Sequence, residues 1–124
     1  MRRLNRRQGR AAMKKYLIIN SESLGQGDAE LGRKLMKKFL QTIVSEGETP
    51  EGIALLNSGV KLACEDSPVL DELKTLEERG AKISSCITCL EFYDLFDTIA
   101  VGIQGTMALY VRYLNDADDT IVIG

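Results

Sequence analysis

The strongest constraint on this chain is its rhythm: short strand-like runs alternate with stretches of helical period from Tyr16 to Ile123. Tyr16-Leu17-Ile18-Ile19 is a continuous apolar run, the pattern of a strand buried on both faces of a parallel sheet. It ends in Asn20-Ser21-Glu22-Ser23-Leu24-Gly25-Gln26-Gly27, which is loop chemistry. Asp28 is an N-cap residue, and Leu31, Leu35, Phe39, Leu40, Ile43 and Val44 recur at helical spacing, so a helix is predicted from there to Ser45. Gly47 and Pro50 break it. A second strand is predicted at Ile53-Ala54-Leu55-Leu56, ending at Asn57-Ser58-Gly59. Ser67 followed by Pro68 opens another helix, because proline lacks the N–H that the first helical position leaves unused. Val69, Leu70, Leu73 and Leu76 line its apolar face, and Gly80 stands where a left-handed C-terminal cap belongs.

The remaining elements continue the alternation. A third strand is predicted over Ala81 to Ser85, then Cys86-Ile87-Thr88-Cys89 and a short helical stretch through Leu95. Thr98-Ile99-Ala100-Val101 is the predicted fourth strand. Met107, Tyr110, Val111 and Leu114 form one stripe of a last helix, and Thr120-Ile121-Val122-Ile123 is the fifth strand. This order predicts an α/β fold, a three-layer α/β/α sandwich with a five-stranded, mostly parallel sheet. Ligands of such sheets gather at the carboxyl ends of the strands. That rule collects Asn20 to Gly27, Asn57 to Lys61, Cys86 to Cys89 and Gly102-Ile103-Gln104 along one edge.

Charge divides the chain in two. The net charge is −2, from 16 basic and 18 acidic residues. Arg2, Arg3, Arg6, Arg7 and Arg10 account for five of the bases, and residues 1–12 hold no acid. Without those five the balance is 11 against 18, a net of −7. An acidic body is a poor surface for nucleic acid, and the arm carries no aromatic residue to stack on bases. Residues 1–13 are expected to be a disordered Arg-rich leader and 14–124 the folded domain. No apolar h-region follows the arginines, and no apolar run reaches the ~20 residues of a membrane span. A cytoplasmic protein with no nucleic-acid or membrane partner is expected.

Rare residues restrict the chemistry. The chain has no histidine, no tryptophan and three cysteines. Ser-His and Cys-His nucleophile pairs and Cys/His zinc patterns are therefore excluded. An odd cysteine count argues against a secreted disulfide framework. The sharpest signal is Cys86-x-x-Cys89, where a predicted strand hands over to a helix. A helix N-terminus offers partial positive charge and free N–H groups, so a lowered thiol pKa is expected there. Such a thiolate can carry sulfur as a persulfide or pair with its neighbour. The competing reading is that both are small buried apolar residues. Two thiolates fill only half of a tetrahedral metal site, so neither metal nor cofactor is expected. Cys64 reads as a packing residue. Gly25-x-Gly27 has its third glycine too late for a dinucleotide fingerprint, and Asp28 and Glu30 oppose a pyrophosphate. Lys61 is the one base in the strand-end set and could stabilise a sulfur anion. Phe92-Tyr93 either covers the thiols, forms a subunit contact or packs in the core.

Four stretches carry a likeness to a known family: Ile18-Ile19-Asn20-Ser21-Glu22-Ser23-Leu24-Gly25-Gln26-Gly27-Asp28, Asn57-Ser58-Gly59-Val60-Lys61-Leu62, Ser67-Pro68-Val69-Leu70 and Cys86-Ile87-Thr88-Cys89-Leu90-Glu91-Phe92-Tyr93. On these the chain resembles the DsrE/DsrF/DsrH-like sulfur-relay family, most of all its YedF-like branch of sulfurtransferase-like selenium metabolism proteins. The resemblance implies the same three-layer fold and assembly as a homo-oligomer, trimer or hexamer. It implies a persulfide carrier at Cys86, with Cys89 belonging to the CxTC variant of the branch. It also implies a sulfur-donor or sulfur-acceptor protein as partner, such as a TusA-like one. The branch normally carries an N-terminal TusA-like domain with a Cys-Pro-x-Pro motif, and here the Arg-rich arm stands in its place. The expected activity is sulfur transfer, possible for selenium as well, with Asn20, Ser21, Asn57, Ser58, Gly59 and Lys61 forming the substrate cleft. The alternative is a non-enzymatic oligomeric binding module with inert thiols. Dithiol–disulfide exchange comes third, since neither Pro nor Gly lies between the cysteines.

Overall fold

The apolar runs that open the chain form the middle of the sheet. In the structure, a computed structural model, residues 15–116 and 118–124 are described. The expected Arg-rich leader lies outside them. β1 (Lys15–Ile19) and β2 (Gly52–Leu55) pair in parallel, and the sheet order is β4-β3-β2-β1-β5. β3 (Lys82–Cys86), β4 (Ile103–Gly105) and β5 (Asp119–Ile123) complete an all-parallel sheet. The helices are α1 (Ala29–Ser45), α2 (Leu70–Glu78), α3 (Ile87–Phe92) and α4 (Met107–Asp116). This is the predicted α/β architecture.

Local chemistry sets the helix ends. The Asp28 carboxylate accepts the Leu31 N–H at 2.9 Å, the N-cap bond that starts α1. α2 begins at Leu70, two residues beyond Pro68, although Ser67 still accepts the Val69 N–H at 3.1 Å. Its end is a Schellman motif. Ala81 N–H donates to Leu76 C=O and Gly80 N–H to Glu77 C=O, both at 3.0 Å, with Gly80 at φ +111°.

Right-handed crossovers assign the faces. The path β1 to β4 runs in one direction across the sheet, so α1 and α2 share a face, where Met36, Leu40, Leu73 and Leu76 are buried. The return from β4 to β5 puts α4 on the opposite face. There the Tyr113 ring meets Tyr16 edge-on at 4.0 Å between centroids. Strand parity places Tyr16, Ala54, Ser84 and Cys86 on the α4 face and Leu17, Ile53, Ile83 and Ser85 on the other.

Two expectations are corrected. Thr98-Ile99-Ala100-Val101 is not a strand. Phe96–Thr98 is a 3₁₀ turn, Ile99 bridges Cys64 antiparallel, and the Ala100 N–H donates to Ala63 C=O at 2.8 Å. The stretch is apolar because it covers the core. The real edge strand, β4, starts at Ile103 and needs no apolar run, since Ile103 and Gln104 face solvent. The second correction is the face of α4: Tyr110 and Tyr113 are buried, whereas Met107, Val111 and Leu114 are exposed. Between β2 and α2 a 3₁₀ helix spans Asn57–Ala63, a stretch to which the sequence reading assigns no element. No helix among the described residues is long and apolar enough to cross a membrane.

Candidate functional site

The end of β2 organises the carboxyl edge. Leu56 N–H donates to Ile19 C=O at 3.0 Å, and the chain then turns at Asn57 with φ +50°. Asparagine tolerates this left-handed backbone better than other side chains. Gly59 is pressed against the Ile19 carbonyl, where any Cβ would collide with it. A glycine there lets the 3₁₀ helix lie directly on the end of β1.

Asn57 is the hub of the site. Its N–H donates to the Cys89 Sγ at 3.0 Å, and its Oδ1 accepts from the Tyr93 hydroxyl at 2.8 Å. The Lys61 ammonium lies 4.7 Å from the Tyr93 ring centroid and 3.6 Å from a Glu22 carboxylate oxygen. Both partners of this ion pair are partly exposed, so it orients Lys61 more than it stabilises the fold. The Ser58 hydroxyl accepts the Glu22 N–H at 3.0 Å, tying the β1 loop to the 3₁₀ helix. Cys89, Asn57, Tyr93, Lys61, Glu22 and Ser58 thus form one continuous network.

Other expected residues fall differently. Asn20 donates its N–H to Ile123 C=O at 2.9 Å, and Ser21 Oγ accepts the Ser23 N–H at 3.0 Å. Both lie at the β1–β5 side of the edge, beside Gly124. Gly102-Ile103-Gln104 are not at the carboxyl edge. Gly102 precedes β4 and abuts Ile83, while Gly105 stands beside Cys86. Cys64 is buried, and its thiol donates to Val60 C=O at 3.2 Å, a packing role. A cleft of about 330 Å³ adjoins Lys61 and Tyr93, with Glu22, Glu65 and Pro68 among its walls.

The two thiols have different surroundings. Cys86 is the last residue of β3 and only 2% exposed, whereas Cys89, in α3, is partly exposed. The expectation of a lowered thiol pKa is overturned at Cys89. Burial pushes this thiol up, its hydrogen bond and charge interaction with Cys86 add to the rise, and the Asn57 N–H opposes it without prevailing. α3 has six residues, too few for a sizeable dipole.

Sequence reasoning missed Tyr110 and Ser84. Both are buried on the α4 face of the sheet, and their hydroxyls, with that of Ser85, make no hydrogen bond among the described residues. The available signal was parity, since Ser84 lies two residues before Cys86 on the same strand. No group of three or more His, Cys, Asp or Glu side chains among the described residues is arranged to hold a metal ion.

No protein-family model and no curated protein sequence matches the chain. Solved structures do. The ychN protein from E. coli superposes with a TM-score of 0.68 at 13% identity, covering 90% of this chain and 100% of that one. MTH1491 from Methanobacterium thermoautotrophicum, a protein of unknown function, gives 0.66 at 16% identity over 90% and 99%. BT1422 from Bacteroides thetaiotaomicron, a conserved protein of unknown function, gives 0.60 at 18% over 89% and 95%. At these identities the likeness is one of fold.

Proposed function

We propose that the chain is a DsrE-like sulfur carrier or sulfurtransferase that moves sulfane sulfur through Cys89 and Cys86. The observation that carries the reading is the pair itself: a partly exposed thiol held by the Asn57 N–H, with a buried thiol beside it at the end of β3. The resemblance to sulfur-relay proteins, with Cys86 at their carrier position, supports it. The Cys89 thiolate attacks the terminal sulfur of a donor persulfide. A new S–S bond forms on Cys89, the donor S–S bond breaks, and the donor thiolate leaves with the electron pair. The Cys86 thiolate takes the terminal sulfur from Cys89 in the same way, regenerating the Cys89 thiolate. Selenium in place of the transferred sulfur follows the same path. The donor or acceptor is a cytoplasmic carrier protein of TusA-like type. The exposed Met107, Val111 and Leu114 support association into a homo-oligomer.

A second reading, a non-enzymatic oligomeric binding module with inert thiols, is favoured by the burial of Cys86 and the raised pKa of Cys89. Intact mass spectrometry after incubation with a persulfide donor separates the two. Sulfur transfer adds the mass of one sulfur atom to wild type and to Cys86→Ser, far less to Cys89→Ser, and none to the double variant. An unlabelled wild type, or equal labelling of the double variant, refutes it.

A further inference from the structure

Behind Cys86 lies a group of hydroxyls that the network around Asn57 does not use. Ser84 and Cys86 are two residues apart on β3 and project from the same face. The strand partner of Cys86 is Gly105, and a Cβ there would lie 2.9 Å from the Tyr110 hydroxyl and 3.2 Å from Ser84 Oγ. Glycine therefore opens the space beside Cys86, and the phenol fills it. Neighbouring strands are ~4.8 Å apart, so the Tyr110 hydroxyl lies over the strand position next to Cys86. Tyr110 is 4% exposed and Ser84 2%, and neither hydroxyl has a hydrogen-bond partner among the described residues. Ser85, equally unpartnered, is on the opposite face and takes no part. Buried donors without partners are uncommon, and two of them converging beside a buried thiol mark a place for an acceptor.

We infer that Tyr110 and Ser84 form a donor pocket for anionic sulfur on Cys86, either its thiolate or the terminal sulfur of its persulfide. The persulfide half of this inference rests on the sulfur-carrier reading; the thiolate half does not. A buried anion is tolerated only where hydrogen bonds replace water, and these are the two buried, unpartnered hydroxyls on the face of the sheet that Cys86 shares. Tyr110 suits the role because it stays protonated. Burial pushes its pKa up to about 12, the charges of Cys86, Tyr113 and Cys89 add to the rise, and the nearby Ser84 hydroxyl opposes it. The phenol is thus a donor throughout the range in which thiols titrate. The two thiols and Tyr113 are the titratable groups acting on it.

The test uses the full chain with Cys64→Ala and Cys89→Ser, so that Cys86 is the single thiol. The rate of its alkylation by iodoacetamide is followed against pH by intact mass. Tyr110→Phe, which deletes one hydroxyl and keeps the ring, should slow alkylation about tenfold on the rising limb and move the profile to higher pH, the size of one hydrogen bond to a charged acceptor. Ser84→Ala should move it the same way by a comparable factor. Urea stability near neutral pH should stay level or rise in both, because each loses a hydroxyl without a partner. Unmoved profiles in both variants, or profiles moved to lower pH, overturn the pocket. Shifted profiles in a protein that never gains sulfur keep the thiolate pocket and discard the carrier reading. Sulfur gained with unmoved profiles does the reverse.

Discussion

Alkaline stability puts the packing of Tyr110 to a quantitative test. Its ordinary pKa is 10.0, and in the fold it is pushed up to about 12. The folded protein therefore holds this proton more tightly than the unfolded chain. The stability that comes from it is fully present below about pH 10 and is lost as pH rises towards 12. Two units correspond to about 2–3 kcal/mol. That is a large fraction of the ~5–15 kcal/mol that holds a domain together. Tyr16, Tyr113 and Cys89 are also raised, so wild type should lose stability steeply over this range. Tyr110→Phe isolates one contribution, since phenylalanine keeps the ring and has no proton to lose. Urea unfolding of both proteins, read by far-ultraviolet circular dichroism at stepped pH, gives the comparison. Below the tyrosine range the variant should match wild type or exceed it slightly, because the deleted hydroxyl makes no hydrogen bond. Above it the variant should be the more stable by about 2–3 kcal/mol, with its alkaline unfolding midpoint at higher pH. Superimposable pH curves would show that the phenol ionises as easily in the fold as in the open chain. A variant several kcal/mol weaker below the tyrosine range would show that the hydroxyl is bonded after all.

Asn57→Ala should cost about 2–3 kcal/mol in urea unfolding, from a left-handed backbone at ~1–2 kcal/mol and the lost Tyr93 hydrogen bond at ~1 kcal/mol. Asn57→Gly should lose only the second part, and equal losses in the two variants would contradict a strained turn at φ +50°. Cys86→Ala removes two causes that raise the Cys89 pKa, so iodoacetamide should react with Cys89 faster at mildly alkaline pH; a slower reaction would contradict the thiol–thiol contact. Gly59→Ala forces the 3₁₀ helix away from the Ile19 carbonyl at a cost of about 1–3 kcal/mol. It should also slow Cys89 alkylation by drawing off the Asn57 N–H; unchanged stability would mean that the helix has room to shift.

What was legible in the sequence was whatever a few neighbouring residues decide among themselves. Asp28 caps α1 through its own carboxylate, Gly80 closes α2 with a left-handed turn, and the runs of β1 and β2 are apolar because both faces are covered. The edge was legible for the same reason: Asn57, Ser58, Gly59 and Lys61 lie just past the end of β2, and Cys86 and Cys89 at and just past the end of β3. Features that depend on a distant partner were not. Thr98 to Val101 is as apolar as a strand, yet its burial comes from lying over Ala63 and Cys64, and periodicity carries no record of which surface a run is buried against. Placing the fourth strand there had a second consequence. It left Gly105 outside the sheet, so nothing indicated a gap beside Cys86. It also left the stripe Met107, Tyr110, Val111 and Leu114 as the natural inner face of α4. Once β4 is Ile103–Gly105, α4 begins two residues after the strand, and the short connection turns Tyr110 and Tyr113 onto Gly105 and Gly52. The position of one three-residue edge strand thus decides whether the space beside Cys86 is filled by apolar carbon or by the Tyr110 hydroxyl.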